Sequence, residues 1–200
     1  MKLPTKCAPK QYTALKFDAT SREVAKPERF RIAPKWKVRN MSTECNRIAH
    51  QLASTINGDA WYGDSLEKML NDVTAKQAQA RAIPSAHSIW ELLCHVDAWV
   101  HFTLGAVQGV PIPAWPGMPV ELDWPAVTDT SERAWKHAVD SFFSNHLRLV
   151  ETIKTFTDDR LEATVPGRTC NFYRLFLGVT QHAIYHAGQI ALLKKISPNH

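Results

Sequence analysis

A chain of 200 residues, 44% of them hydrophobic, has enough material for one domain with a sizeable core and too little for two enzymatic domains. Its formal charge of +5 divides unevenly: residues 1–40 hold eleven Lys and Arg against three acids, and residues 41–200 hold thirteen against sixteen. The basic balance belongs to the first forty residues. The remainder offers no basic stripe for nucleic acid and no run of about 20 apolar residues for a membrane span.

Residues 1–40 contain Pro4, Pro9, Pro27 and Pro34 among many charges and no sustained apolar period. They read as a basic extended or disordered extension. Patterned sequence begins near Met41, so a domain is expected over residues 41–200. The N-terminus lacks the apolar core of a secretory signal, and Cys7, Cys45, Cys94 and Cys170 are scattered without C-x-x-C spacing. Reduced thiols and a cytoplasmic location are the expectation.

Helix one is predicted from Thr43 to about Asn57, with Ile48, Leu52 and Ile56 on one face and Gly58 placed to end it. Asp59 to Gly63 forms an aromatic turn, and shorter helical pieces lie around Leu66, Met69 and Leu70. Ser88-Ile-Trp-Glu91 matches a capping box, in which the Ser side chain accepts from the third amide and Glu reaches back. Helix two therefore starts there and runs to Gly109. His95 sits in its middle, aligned with Leu92, Trp99 and Phe102, whereas His87, His101 and Cys94 point elsewhere.

Residues 110–129 carry Pro111, Pro113, Pro116, Pro119 and Pro125 with Trp115 and Trp124, a composition that suits neither helix nor central strand. This segment is predicted to cross the length of a bundle, pinned by its tryptophans. Helix three follows a cap at Asp129-Thr-Ser-Glu132, and its stripe is read as Trp135, Val139, Phe142, Phe143, Leu147, Val150 and Ile153. Of its histidines, His146 is the better placed for partial burial. A Pro166-Gly167 turn leads into helix four, Phe172 to Lys195. The fold class is all-α, a four-helix bundle with a long Pro-rich crossover between helices two and three.

His182 and His186 fall inside the apolar stripe of helix four, among Val179, Ala183 and Ile190. Residues four apart have Cβ atoms about 5–6 Å apart, so both imidazoles can reach one ion with metal–nitrogen bonds of about 2.0–2.1 Å. Nine histidines would produce a pair at this spacing by chance about 0.4 times, so the pair alone is weak. Two readings compete, metal ligands and satisfied core histidines. His95, on the facing helix, adds a third imidazole to the same interior.

The segments His87-Ser-Ile-Trp-Glu-Leu-Leu-Cys-His95-Val and His182-Ala-Ile-Tyr-His186-Ala-Gly-Gln-Ile190, with Asn171-Phe-Tyr and the Pro-rich crossover, resemble the DinB/YfiT-like family of metal-binding four-helix bundles. The resemblance covers residues 41 to about 196. It implies that His95, His182 and His186 hold a divalent ion, in that family zinc, nickel, iron or manganese. A three-nitrogen shell with a fourth position open suits zinc or nickel. Glu91, Tyr185 and Gln189 are candidates for supporting the ligands from behind, the capping box being an equal explanation for Glu91, and Gly188 is expected to permit close helix packing.

The function this implies is a tri-histidine site open to a small-molecule ligand, in which a low-molecular-weight thiol, bound as metal thiolate, attacks an electrophile: a thiol S-transferase. The alternatives are a non-catalytic metal-binding stress-response protein and a metal-hydroxide hydrolase. The hydrolase is the less favoured, since Ala183 stands where zinc peptidases of the H-E-x-x-H pattern place a general-base Glu. No residue is assigned as a general acid or base. An apolar pocket beside the ion, walled by Trp61, Trp90, Trp99 or Tyr185, would favour an enzyme. Family bundles often pair through exposed helix faces, so a homodimer is among the assemblies the resemblance allows.

Overall fold

The computed structural model describes residues 43–114 and 116–196. The basic segment 1–40, the start near Met41 and Trp115 lie outside the described residues. Among these residues the chain is all-helical, with α1 (Glu44–Ile56), α2 (Leu66–Leu70), α3 (Ala75–Gln79), α4 (Ile89–Val107), α5 (Val120–Asp123), α6 (Glu132–Thr155) and α7 (Phe172–Ile196). No helix described is long and apolar enough to cross a membrane.

Helix ends leave amide and carbonyl groups without intrahelical partners, and side chains close to them in sequence satisfy most of these. Thr43 opens α1 by accepting from the Asn46 amide at 3.2 Å. The Asp158 carboxylate, distant in sequence, accepts from the Glu44 and Cys45 amides at 2.8 and 3.0 Å. At α4 the capping box is complete: Ser88 Oγ accepts from the Glu91 amide at 3.2 Å, and Glu91 Oε2 accepts from the Ser88 amide at 2.8 Å. Ser131 opens α6 and Asn171 opens α7, each accepting from an amide three residues on.

Helix α1 packs against α6 and α7, and α4 packs against the same two. Ile48, Leu52, Phe142, Leu149, Ile153 and Phe176 are at most 2% exposed in the core between them. Each such side chain contributes about 1.5–3 kcal/mol by leaving water. On α6 the buried line differs from the expected stripe. Leu147 is 45% exposed, and His146 is fully buried in its place. Positions 142, 146, 149 and 153 follow the helical repeat across the core, whereas 147 lies five residues beyond Phe142 and has rotated toward solvent.

The segment between α4 and α6 is tied down at two points. The expectation that its prolines exclude helix fails for one turn, α5: Pro119 caps its start and Pro125 follows its C-cap Trp124, so the turn fits between prolines and cannot extend. Nearer α4, the Ile112 amide donates to the Pro166 carbonyl at 3.0 Å. Gly167 adopts φ 75°, and a Cβ there would stand 2.4 Å from the Ile112 carbonyl oxygen. Only glycine allows that approach. The contact joins the segment that follows α4 to the turn that precedes α7.

Candidate metal centre

Adjacent packing of α4 and α7 brings His95, His182 and His186 together, their ligand nitrogens all within 4.8 Å of one another. His182 Nε2 lies 3.0 Å from His95 Nε2 and 3.0 Å from His186 Nε2. Two nitrogens bound at about 2.0–2.1 Å to one tetrahedral ion stand about 3.3 Å apart, so the spacing is close to what an ion requires.

For His95 and His186 the proton position follows from the group behind the ring, whereas His182 Nδ1 is buried without a partner. His95 Nδ1 lies 2.6 Å from the backbone carbonyl of Asp123, and a carbonyl can only accept. His95 therefore carries its proton on Nδ1 and presents a lone pair at Nε2. His186 Nδ1–H donates likewise to Gln189 Oε1 at 2.8 Å. Two lone pairs thus face His182 Nε2, which has at most one proton to offer. An arrangement of this kind is relieved by a cation held in common.

The electrostatics agree with that requirement. Burial pushes the His182 pKa down to about 3, helped by His186, His95 and His146. Burial lowers His95, against the backbone bond from Asp123, and lowers His186, against the bond from Gln189. All three rings are neutral at pH 7. In that form they could take a metal without first losing protons.

Other rings enclose the site. Trp124 is sandwiched between His87, at 3.6 Å between centroids, and His95, at 3.8 Å, nearly parallel to both. Beside the histidines a cavity of about 460 Å³ is lined by His95, His182, Trp99, Asp123, Arg168, Arg174 and a largely apolar wall that includes Leu175 and Val179. Asp123 is 8% exposed. Its Oδ1 accepts from Trp99 Nε1 at 2.9 Å and lies 3.3 Å from His95 Nδ1.

A model of the DinB superfamily matches residues 61–190, which contain all three histidines. The chain belongs to the DinB superfamily. Comparison with curated proteins and with solved structures gives no match. Within this DinB-superfamily protein the residues expected to support the ligands divide. Gln189 is in place behind His186. Glu91 is taken up by the Ser88 cap, Arg81 and His87, and the group behind His95 is Asp123. Tyr185 is 64% exposed and meets His186 only edge-on, at 4.9 Å.

Of the four aromatics proposed for a pocket wall, Trp99 lines the cavity. Trp61 is fully exposed in its turn, and Trp90 is buried in the core against Trp135 at 5.0 Å. Gly188 does not serve close packing, since a Cβ there would meet nothing within 4 Å. Sequence reasoning missed Asp123 and Trp124 as neighbours of His95, and Arg168 and Arg174 as cavity residues. The only signal for the first pair was an acid beside a tryptophan in the Pro-rich segment.

Proposed function

We propose that this DinB-superfamily domain binds a divalent ion through the Nε2 atoms of His95, His182 and His186 and keeps the ion accessible to a small molecule from the adjoining cavity. The observation that carries this reading is the convergence of three imidazoles, two of which, His95 and His186, have their proton held away from the shared centre by the Asp123 carbonyl and Gln189. An all-nitrogen set suits zinc or nickel ahead of iron or manganese. When bound, such an ion supplies Lewis acidity, lowering the pKa of a thiol or water that shares it.

The reaction class this suits best is thiol-dependent transfer, with a low-molecular-weight thiol as one substrate. The apolar cavity supports a bound small molecule, a role that a fully packed structural site would not accommodate. Trp124 shields His95 from water, and Trp99 offers a flat wall to a substrate. A metal-dependent hydrolase is the second reading, favoured by the buried Asp123 carboxylate at the cavity. It ranks lower because Asp123 Oδ1 is already committed to the Trp99 indole N–H.

In the same reading α1, α4, α6 and α7 form the family's four-helix bundle within a domain of residues 41–200. Residues 110–129 are its crossover and residues 1–40 a basic extension, in a cytoplasmic protein able to form a homodimer. The test is elemental analysis of the purified protein beside His95→Ala and His182→Ala, then titration of the cobalt-substituted protein with cysteine. About one ion per chain, lost in both variants, is expected. So is a cobalt spectrum that shifts with thiol. Metal-free wild-type protein would overturn the metal site, and an unmoved spectrum would overturn the thiol reaction.

A further inference from the structure

We propose that the cavity beside the histidines selects a small organic anion, its carboxylate or phosphate held by Arg168 and Arg174 and its apolar body laid against Trp99, Leu175 and Val179. The proposal builds on the metal-site reading, because it names the class of substrate presented to that ion.

Three observations lead to it. The first is an unsatisfied guanidinium: Arg168 Nη2 is buried with no hydrogen-bond partner. A buried donor on a charged group is costly to leave unpaired. Ion pairs of Lys and Arg among the described residues use Arg47, Arg81, Lys136, Lys154 and Lys194, and neither Arg168 nor Arg174 has a carboxylate within that reach. Half-buried Arg168 and exposed Arg174, neither of them ion-paired among the described residues, thus line one cavity.

The second is placement. Arg168 follows the Gly167 turn, its amide donating to the Val165 carbonyl at 3.0 Å, so the backbone that presents the guanidinium is held. Its guanidinium carbon lies 5.5 Å from the Trp99 ring centre, and that ring lies 5.8 Å from His182. One indole therefore runs from the cationic group to the metal centre. The length suits an aromatic or short aliphatic body anchored at one end by charge and reaching the histidines with the other.

The third is space and sign. A Cβ at Gly178, in the middle of α7 and on the cavity wall, would meet nothing within 4 Å. The cavity wall is therefore open at that position. The cavity's lone carboxylate, Asp123, accepts from Trp99 Nε1 and lies 3.3 Å from His95 Nδ1, and two arginines outnumber it. Arg pairs with carboxylate or phosphate in a bidentate manner, which orients the ligand as well as attracting it.

The experiment is calorimetric titration of the full chain loaded with zinc, using benzoate, phenyl phosphate and the neutral benzamide as probes. At least one anion is expected to bind about tenfold or more tightly than benzamide. Arg168→Gln should reduce that affinity about tenfold or more with zinc content unchanged, Arg168→Lys should reduce it less, and Gly178→Leu should block all three probes. The ratio of benzoate to phenyl phosphate distinguishes a carboxylate substrate from a phosphate. Equal affinity for anions and benzamide overturns the proposal. So does anion binding that survives both Arg168→Gln and Arg174→Gln, since the ion alone would then be the anchor. The same titration on chelator-treated protein separates the two readings: Arg168-dependent anion binding by a chain that takes up no zinc leaves the anion site standing and the metal site overturned.

Discussion

Helices α1 and α7 pack against each other and into the same core, but they bury different chemistry. The buried residues of α1 are Cys45, Ile48, Ala49, Leu52, Thr55 and Ile56, and its one buried hydroxyl, on Thr55, donates to the Gln51 carbonyl of its own helix at 3.0 Å. Helix α7 brings His182 and His186 to the same interior, and His182 finds a facing nitrogen on α4. A helix whose buried side-chain polar groups bond within the helix itself needs no side-chain partner from its neighbours in the core, where shape and area hold it. One that borrows partners from another element is tied to a particular neighbour, and the tie is where chemistry can be placed.

The comparison can be broken most strongly at α1. Leu52 is fully buried, and Leu52→Ala should cost about 2–5 kcal/mol in urea unfolding while the folded fraction keeps its metal. Loss of metal from folded Leu52→Ala protein would mean that α1 is also part of the site's support.

A second effect comes from α6, where fully buried His146 donates from Nδ1 to the Phe142 carbonyl at 2.7 Å and leaves Nε2 without a partner. Burial pushes its pKa down to about 4. The unfolded chain takes up a proton near the ordinary pKa of about 6.5 and the folded chain does not, so the contribution is intact above that pH and lost as the pH falls through the folded value. Stability should drop by up to about 1.4 kcal/mol per pH unit per histidine over this window. His146→Leu should flatten the slope by one proton, measured by urea unfolding at several pH values on chelator-treated protein. An unchanged slope would show that His146 is not buried in the neutral form.

The smallest effect is at the start of the helix that carries His95. Ser88→Ala removes one half of the α4 capping box and should cost about 1 kcal/mol, with metal content unchanged, because His95 lies two turns further on. A loss near zero in thermal unfolding would mean that the Glu91 half of the box suffices.

Helix starts were legible because their signals are local: Ser88 with Glu91 announces α4, and Thr43 announces α1, within three residues of the amide each satisfies. The histidine triad was legible as well, since a spacing of four and a place on an apolar stripe are properties of one helix at a time. The α6 stripe was misread at Leu147 because its register was carried on Trp135, Val139 and the two adjacent phenylalanines, and a one-residue error turns a side chain by about 100°, the width of an apolar face.

What sequence by itself determined about this protein is the four long helices and the three imidazoles, because propensity, capping and periodicity act between residues a few positions apart. Tertiary structure alone decided what stands around those imidazoles. His95 is oriented by a backbone carbonyl, a group every residue carries and no motif can mark. Asp123 reaches the site from the single turn of α5, and Trp124 and Arg168 from irregular segments, where position follows from the packing of the Pro-rich segment and the Gly167 turn and not from any repeat.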